Sequence, residues 1–305
     1  MTSKRIPTFL GVLAILCWST SIAISRSLAQ KTGTLHAAFF YLLGSGLILL
    51  AMQLVMLRKR YFGLIAGLTR AYWFKVGGFM VVNMIAFYSA VGEAATVEAV
   101  IVVGIINYLW PGLTFLFSVP ILHNKAKASG LILGILAGFI GTAIAFLESR
   151  RLAGGVLATA LQQNIFPYLL AATAAFCWGI YSNMTRKYRV KEDIVAVPIF
   201  FLTAAVGILG LLLLRGELPH LRLNSVGYIE LAYMIVFPTS VAYVSWDRAM
   251  KYGDKNLVVA LSYMIPLIST LTSGFYLKVP IGIGFILAAL MVVGGAILCR
   301  RSITS

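Results

Sequence analysis

The chain has 305 residues, 60% of them hydrophobic and 11% charged, with a mean hydropathy of +0.94. Soluble domains carry about 45–50% apolar and about 25% charged residues, so an ordinary globular fold is excluded and an integral membrane protein is implied. The formal charge of +16, from 25 Lys and Arg against 9 Asp and Glu, sits between long apolar runs. It therefore reads as orientation in a bilayer and not as a nucleic-acid surface.

A crossing takes about 20 apolar residues. In chain order that rule predicts ten spans, near residues 8–29, 34–57, 72–92, 96–119, 128–147, 165–185, 193–214, 226–248, 256–277 and 281–299. Lys4 and Arg5 lead straight into the first with no cleavage-site pattern, so that helix is expected to remain. The connections are short, and the largest hydrophilic one runs from Arg186 to Asp193. Cys17, Cys177 and Cys299 lie inside apolar runs without metal or disulfide spacing and read as small buried hydrophobes. No cofactor is expected.

Basic residues test the count. With the N-terminus cytoplasmic, that side gathers eighteen of the 25, including Lys4, Arg5, Arg58, Lys59, Arg60, Arg186, Lys187 and Arg189, against seven on the other. The positive-inside rule then places both termini in the cytoplasm.

The chain compares with itself. Cys17-Trp18 followed by Arg26 returns as Cys177-Trp178 followed by Arg186, and Tyr88 and Tyr108-Leu109-Trp110-Pro111 return as Tyr243 and Tyr263-Met264-Ile265-Pro266. Both offsets carry helix n onto helix n+5, which predicts two five-helix halves, residues 1–150 and 151–305. Five is odd, so the second half enters the membrane inverted, a construction used by secondary transporters.

A mid-helix proline frees the carbonyl four residues back, which in hydrocarbon is tolerated only facing protein or a watery cavity. Pro111 and Pro266, equivalent in the two halves, point to a central cavity and to hinges, or else to plain structural kinks. Pro198 and Pro238 have no partner at that offset and read as ordinary kinks. Tryptophans favour the headgroup belts; Trp73 and Trp246 fit that preference, whereas Trp18, Trp110 and Trp178 fall near helix centres. With Tyr88, Tyr108, Tyr243, Tyr263, Asn107, Ser19, Ser182, Asn183 and Ser262 they would line a slot with aromatic walls and neutral hydrogen-bonding groups, suited to a small amphipathic or aromatic solute. Each ring taken alone also suits interhelical packing.

Of the acids, Glu98, Glu230 and Asp247 alone fall within spans, all near their ends, so no mid-helix carboxylate is expected as a proton relay. Helix 9 shows no Lys or Arg for a phosphorylated cargo. Arg26 and Arg186 either snorkel to the headgroups or hold a substrate carboxylate. His36, His123 and His220 fall in loops or helix ends, which leaves an intramembrane enzyme without a base. Gly130, Gly134 and Gly138 form a small-residue ladder, for an intramolecular contact or for a second copy.

At Asn107-Tyr108-Leu109-Trp110-Pro111, with Cys17-Trp18-Ser19 and Cys177-Trp178-Gly179, the chain resembles the EamA-type drug/metabolite transporter superfamily, and within it the branch that exports aromatic amino acids. The resemblance covers nearly the whole chain. It implies an all-α fold of two inverted repeats around a cavity, in the bacterial inner membrane, carrying aromatic and other neutral amino acids outward. It also makes Tyr108 and Trp110 the leading substrate contacts. Where many members place Gly-Glu, this chain reads Asn124-Lys125 and Lys278-Val279-Pro280, so their coupling does not carry over. The expected partners are the lipid bilayer and a small-molecule amino acid, with no nucleic acid and the oligomeric state open. The expected mechanism is alternating access without ion coupling, with export of another metabolite or drug, possibly proton-coupled, as the alternative carrier and an enzyme or sensor as the alternative class.

Overall fold

The computed structural model describes residues 4–94, 96–149, 165–189, 196–268 and 283–304. Nearly all of them are helical, because a helix satisfies its backbone groups internally where no water is at hand. α1 (Arg5–Thr32) and α2 (Thr34–Leu57) are joined by Gly33 alone, whose φ of +85° is rarely adopted by L side chains. A short α3 (Arg60–Ala66) follows where hydropathy shows only a connection. α4 (Arg70–Glu93) carries a π-helical turn at Trp73–Gly78. α5 (Val97–Asn107) and α6 (Trp110–Leu122) share one predicted span, and α7 (Ala128–Ser149) follows.

α8 (Phe166–Lys187) and α9 (Val197–Leu214) lead to α10 (Ser225–Tyr252), which has its own π-helical turn at Ile235–Val241. α11 (Lys255–Ser262) resumes as residues 264–268, and α12 (Ile283–Ser302) closes the set. Thr96, Asn224 and Asp254 cap α5, α10 and α11 by accepting from the amides of Ala99, Gly227 and Leu257. β1 (Lys125–Ala126) and β2 (Ile303–Thr304) pair antiparallel and tie the start of α7 to the end of α12.

Helical backbone thus stands over the described part of each of the ten predicted segments. Among the described residues five helices are able, by length and composition, to cross a membrane: Thr34–Leu57, Arg70–Glu93, Val102–Leu122, Val197–Leu214 and Ser225–Tyr252. Large apolar side chains face outward on most of the helices, among them Val55, Phe74, Leu133, Val206, Ile229 and Leu290. In water such an apolar exterior would be a liability, and in lipid it is the solvated surface.

The principal packings are α1 on α10, α8 on α4 and α6, α2 on α9, and α7 on α12. The last accounts for the glycine ladder. A Cβ at Gly134 would stand 2.7 Å from the Cys299 backbone nitrogen and 2.8 Å from the Gly295 carbonyl oxygen, and one at Gly138 would strike the Tyr263 ring. The ladder is therefore an intramolecular contact. Two of the predicted ordinary kinks are something else. Pro198 sits in the first turn of α9, where its missing N–H has no partner to lose, and Pro238 lies inside the α10 π-helical turn.

Candidate functional site

Four tryptophans from four helices meet inside the bundle. Trp18 of α1 stands 5.5 Å from Trp178 of α8 and 5.4 Å from Trp246 of α10, measured between ring centroids. Trp110 of α6 stands 5.9 Å from Trp178 and 5.3 Å from Trp246. Tyr243 packs edge-on against Trp18 and Trp178, at 5.4 and 5.5 Å, and Tyr181 lies 5.4 Å from Trp178. Several of these pairs are edge-to-face, the arrangement the ring quadrupoles prefer. Tyr88 joins through its hydroxyl, linked to that of Tyr243, while its ring packs on Tyr41, 5.3 Å away.

The structure thus gathers Trp18, Trp110, Trp178, Tyr243 and Tyr88, as the sequence predicts. Trp246, expected in a headgroup belt, is instead fully buried in the cage. It lies three residues after Tyr243, so one face of α10 presents both rings.

The indole N–H groups are the cage's polar handles. Trp18 Nε1 donates to the Pro238 carbonyl at 3.0 Å and Trp246 Nε1 to Ser182 Oγ at 3.2 Å. Pro238, inside the π-helical turn, therefore touches the cage through its carbonyl. The Ile235 carbonyl in the same turn accepts from the hydroxyls of Ser45 and Ser240. Trp178 Nε1 is buried with no partner among the described residues.

The two helix breaks sit as the paired prolines predict. α5 ends at Asn107, Tyr108 and Leu109 form a turn, and Pro111 opens α6; α11 ends at Ser262, Tyr263 interrupts it, and helix resumes before Pro266. Their side chains are less central. The Ser262 hydroxyl donates to the Val259 carbonyl of its own helix at 2.7 Å. Tyr263 packs on Gly112 and Gly138, between α6 and α7, and makes no ring contact with the cage. Tyr108 is buried and Asn107 half-buried at the break. Ser19 is tied to the Ile15 carbonyl.

Beside the cage lies a polar cluster that hydropathy does not reveal. Asp247 is 1% exposed and its Oδ2 meets Lys251 Nζ at 2.6 Å, one turn along α10. Its Oδ1 accepts from Thr185 at 2.6 Å and Tyr181 at 3.3 Å, both on α8. Lys255, the first residue of α11, is also buried and donates to Asn183 Oδ1 at 3.0 Å. Asn183 in turn donates to the carbonyls of Thr114 and Gly179, both at 2.9 Å. Two features go beyond the sequence reading: Asp247, near the end of its helix as expected, is buried next to a cage tryptophan, and a buried lysine, Lys255, stands one residue before the ninth predicted span. An i,i+4 Asp–Lys pair was the available signal for the first. Arg186 donates to the carbonyls of Met250 and Gly253, and the Arg26 side chain lies outside the described residues.

The opposite helix ends are joined by other polar contacts. Lys31 Nζ is 2.7 Å from Glu230 Oε2, Ser27 donates to Oε1 of the same Glu230 at 2.8 Å, His36 Nε2 is 2.9 Å from Glu217, and Arg215 pairs with Glu93. They link α1 with α10, α2 with the segment between α9 and α10, and α4 with the end of α9. The cage therefore lies between two polar layers, one at each end of the bundle.

The profile of the EamA-like transporter family matches residues 165–301. The chain is 30% identical over 304 residues to the aromatic amino acid exporter YddG of Salmonella typhimurium (strain 14028s / SGSC 2262), covering 98% of each protein. To the protein of the same name from Escherichia coli (strain K12) it is 27% identical over 301 residues, again 98% of each. A solved crystal structure, 27% identical, matches with a TM-score of 0.76 over 97% of this chain and 98% of the other. These relatives are transporters, so the intramembrane enzyme is set aside. The chain belongs to the EamA-like transporter family, as a full-length relative of the aromatic amino acid exporter YddG.

Proposed function

We propose that the protein exports aromatic amino acids such as Phe, Trp and Tyr, together with other neutral amino acids, across the bacterial inner membrane. The observation that carries this reading is the four-tryptophan cage, whose flat apolar walls match an aromatic side chain and whose relatives bear that activity in their names. The ring of the substrate lies against Trp110, with Trp18, Trp178 and Tyr243 around it and Tyr108 and Asn107 at the adjoining break.

Transport proceeds by alternating access of two inverted five-helix halves, 1–150 and 151–305, crossing the membrane ten times with both termini cytoplasmic. Several features support that arrangement. α1 packs on α10 as α8 packs on α4, the same pair of positions exchanged between halves, while α2–α9 and α7–α12 each pair equivalent helices. The third predicted span of each half holds a π-helical turn, and the fourth holds a break followed by proline. The polar layers at the two ends are the contacts that alternate opening would break in turn.

The protein works as a uniporter, moving its cargo down the cargo's own gradient. Asp247 is buried, and its charge is already matched by Lys251 within one turn, which leaves no free buried acid among the described side chains to carry a proton. That same burial is the one observation favouring a second reading, proton coupling through Asp247. Uptake of labelled Phe into liposomes containing the protein separates them. Saturable flux indifferent to an imposed pH or sodium gradient is expected; marked stimulation by either, beyond a membrane-potential effect, overturns uniport. Trp110→Ala is expected to lower that flux at least tenfold in a folded protein, and unchanged flux removes Trp110 from the site.

A further inference from the structure

The cage explains how an aromatic side chain is held and leaves open what meets the charged end of an amino acid. The proline-freed carbonyls suit an ammonium and do nothing for a carboxylate, which needs donors.

Two buried donors near the cage have unused capacity. One is Lys255. At 5% exposure its only partner among the described residues is the neutral Asn183 amide, and no carboxylate among those residues pairs with it. An ammonium has three N–H donors, so two remain open in a place where an unneutralised charge is costly. The two described acids nearest it in the chain are engaged elsewhere: Asp247 is matched by Lys251, and Asp254 caps its own helix and faces Arg300 at 3.4 Å. Burial disfavours the charged form of Lys255 most, and the like charge of Arg186, itself held by two backbone carbonyls, disfavours it further, so an arriving carboxylate would stabilise the ammonium. The second open donor is the Trp178 indole N–H, buried in the cage without an acceptor among the described residues.

Position connects them. Asn183, which holds Lys255, is anchored to the carbonyl of Gly179, next to Trp178, and to that of Thr114, whose hydroxyl donates back to the Trp110 carbonyl at 2.7 Å. Thr114 is one turn beyond Trp110, a rise of about 6 Å. That is also the order of the reach from an aromatic ring to its own α-carboxylate. A buried amine with two open donors therefore stands about one turn from the rings, with no acceptor among the described residues but Asn183.

We propose that Lys255, positioned by Asn183, receives the substrate's α-carboxylate while the aromatic side chain occupies the tryptophan cage. The assignment rests on the reading of the cage as an aromatic amino acid site. It makes the protein selective for the carboxylate as well as for the ring, and separates amino acids from aromatic amines of the same shape.

The test is competition against labelled Phe uptake in liposomes with the full-length protein. Phenethylamine, which lacks the carboxylate, is expected to compete at least tenfold more weakly than unlabelled Phe, and 3-phenylpropionate, which keeps it, less weakly than phenethylamine. In Lys255→Gln the preference for Phe over phenethylamine is expected to fall toward unity, and in Lys255→Arg to be partly retained. A purely structural role would lower total flux without moving that ratio. A Lys255→Gln protein that keeps the wild-type ratio overturns the assignment and leaves the transport reading intact. If Lys255→Gln does not fold, the wild-type competition decides: phenethylamine matching Phe overturns the proposal. Absence of any Phe flux in the wild-type protein overturns both readings.

Discussion

Asp247 and Lys251 are nearly or wholly inaccessible to solvent and 2.6 Å apart, so each charge exists in the interior only because the other is there. Removing one partner of such a pair costs about 3–5 kcal/mol, while replacing both by apolar groups of similar volume is close to neutral. Lys251→Met is therefore expected to lower the thermal unfolding temperature in detergent markedly, and Asp247→Leu added to it to restore most of the loss. A double variant no more stable than the single would show that Thr185 and Tyr181, not the lysine, carry the carboxylate. The pair shows why some residues were not legible in the sequence. A hydropathy window scores how polar a stretch is, not which way each side chain turns. Asp247 and Trp246 are consecutive near the end of a predicted span, and both were read from their distance to that end. Their burial is decided by α8, which brings Ser182 to the indole and Thr185 to the carboxylate.

At the scale of the element, the chain interrupts its helices in two ways. The breaks at Tyr108 and Tyr263 precede Pro111 and Pro266 and were readable, because proline removes a donor wherever the helix goes. The π-helical turns in α4 and α10 carry no such mark in common: one contains Pro238 and the other contains Gly77 and Gly78. If the proline breaks are hinges, Pro111→Ala and Pro266→Ala are expected to leave thermal stability unchanged or raise it by up to about 3 kcal/mol, as the carbonyls of Asn107 and Ser262 regain a donor, while transport slows several-fold. Normal flux in the more stable variants would make the prolines plain kinks. The α7–α12 contact is rigid by comparison. A side chain at Gly134 has no space against the Cys299 and Gly295 backbone, so Gly134→Leu is expected to abolish folding or cost several kcal/mol, read as loss of monodisperse protein in detergent.

At the scale of the whole molecule, basic residues crowd on one side of the predicted membrane, and the cluster of Asn183, Arg186, Lys251 and Lys255 lies at that same end of the bundle. The proposed topology puts both termini there, so alkaline phosphatase fused after Ser305 is expected to be inactive in bacteria and a green fluorescent protein at the same point bright; the reverse would mean an odd number of crossings. Composition alone determined that the chain is a membrane protein. The spacing of its apolar runs placed its helices, and its rare residues, tryptophan, tyrosine and paired prolines, marked most of the cage. Those features depend on local chemistry: transfer of apolar side chains to lipid, and proline's missing donor. Only the tertiary structure decided that Trp246 completes the cage, that Tyr263 packs away from it, and that Asp247 and Lys255 are buried. Each depends on which helices face one another across more than sixty residues of sequence, and a charge's surroundings are set by those neighbours and not by its place along the chain.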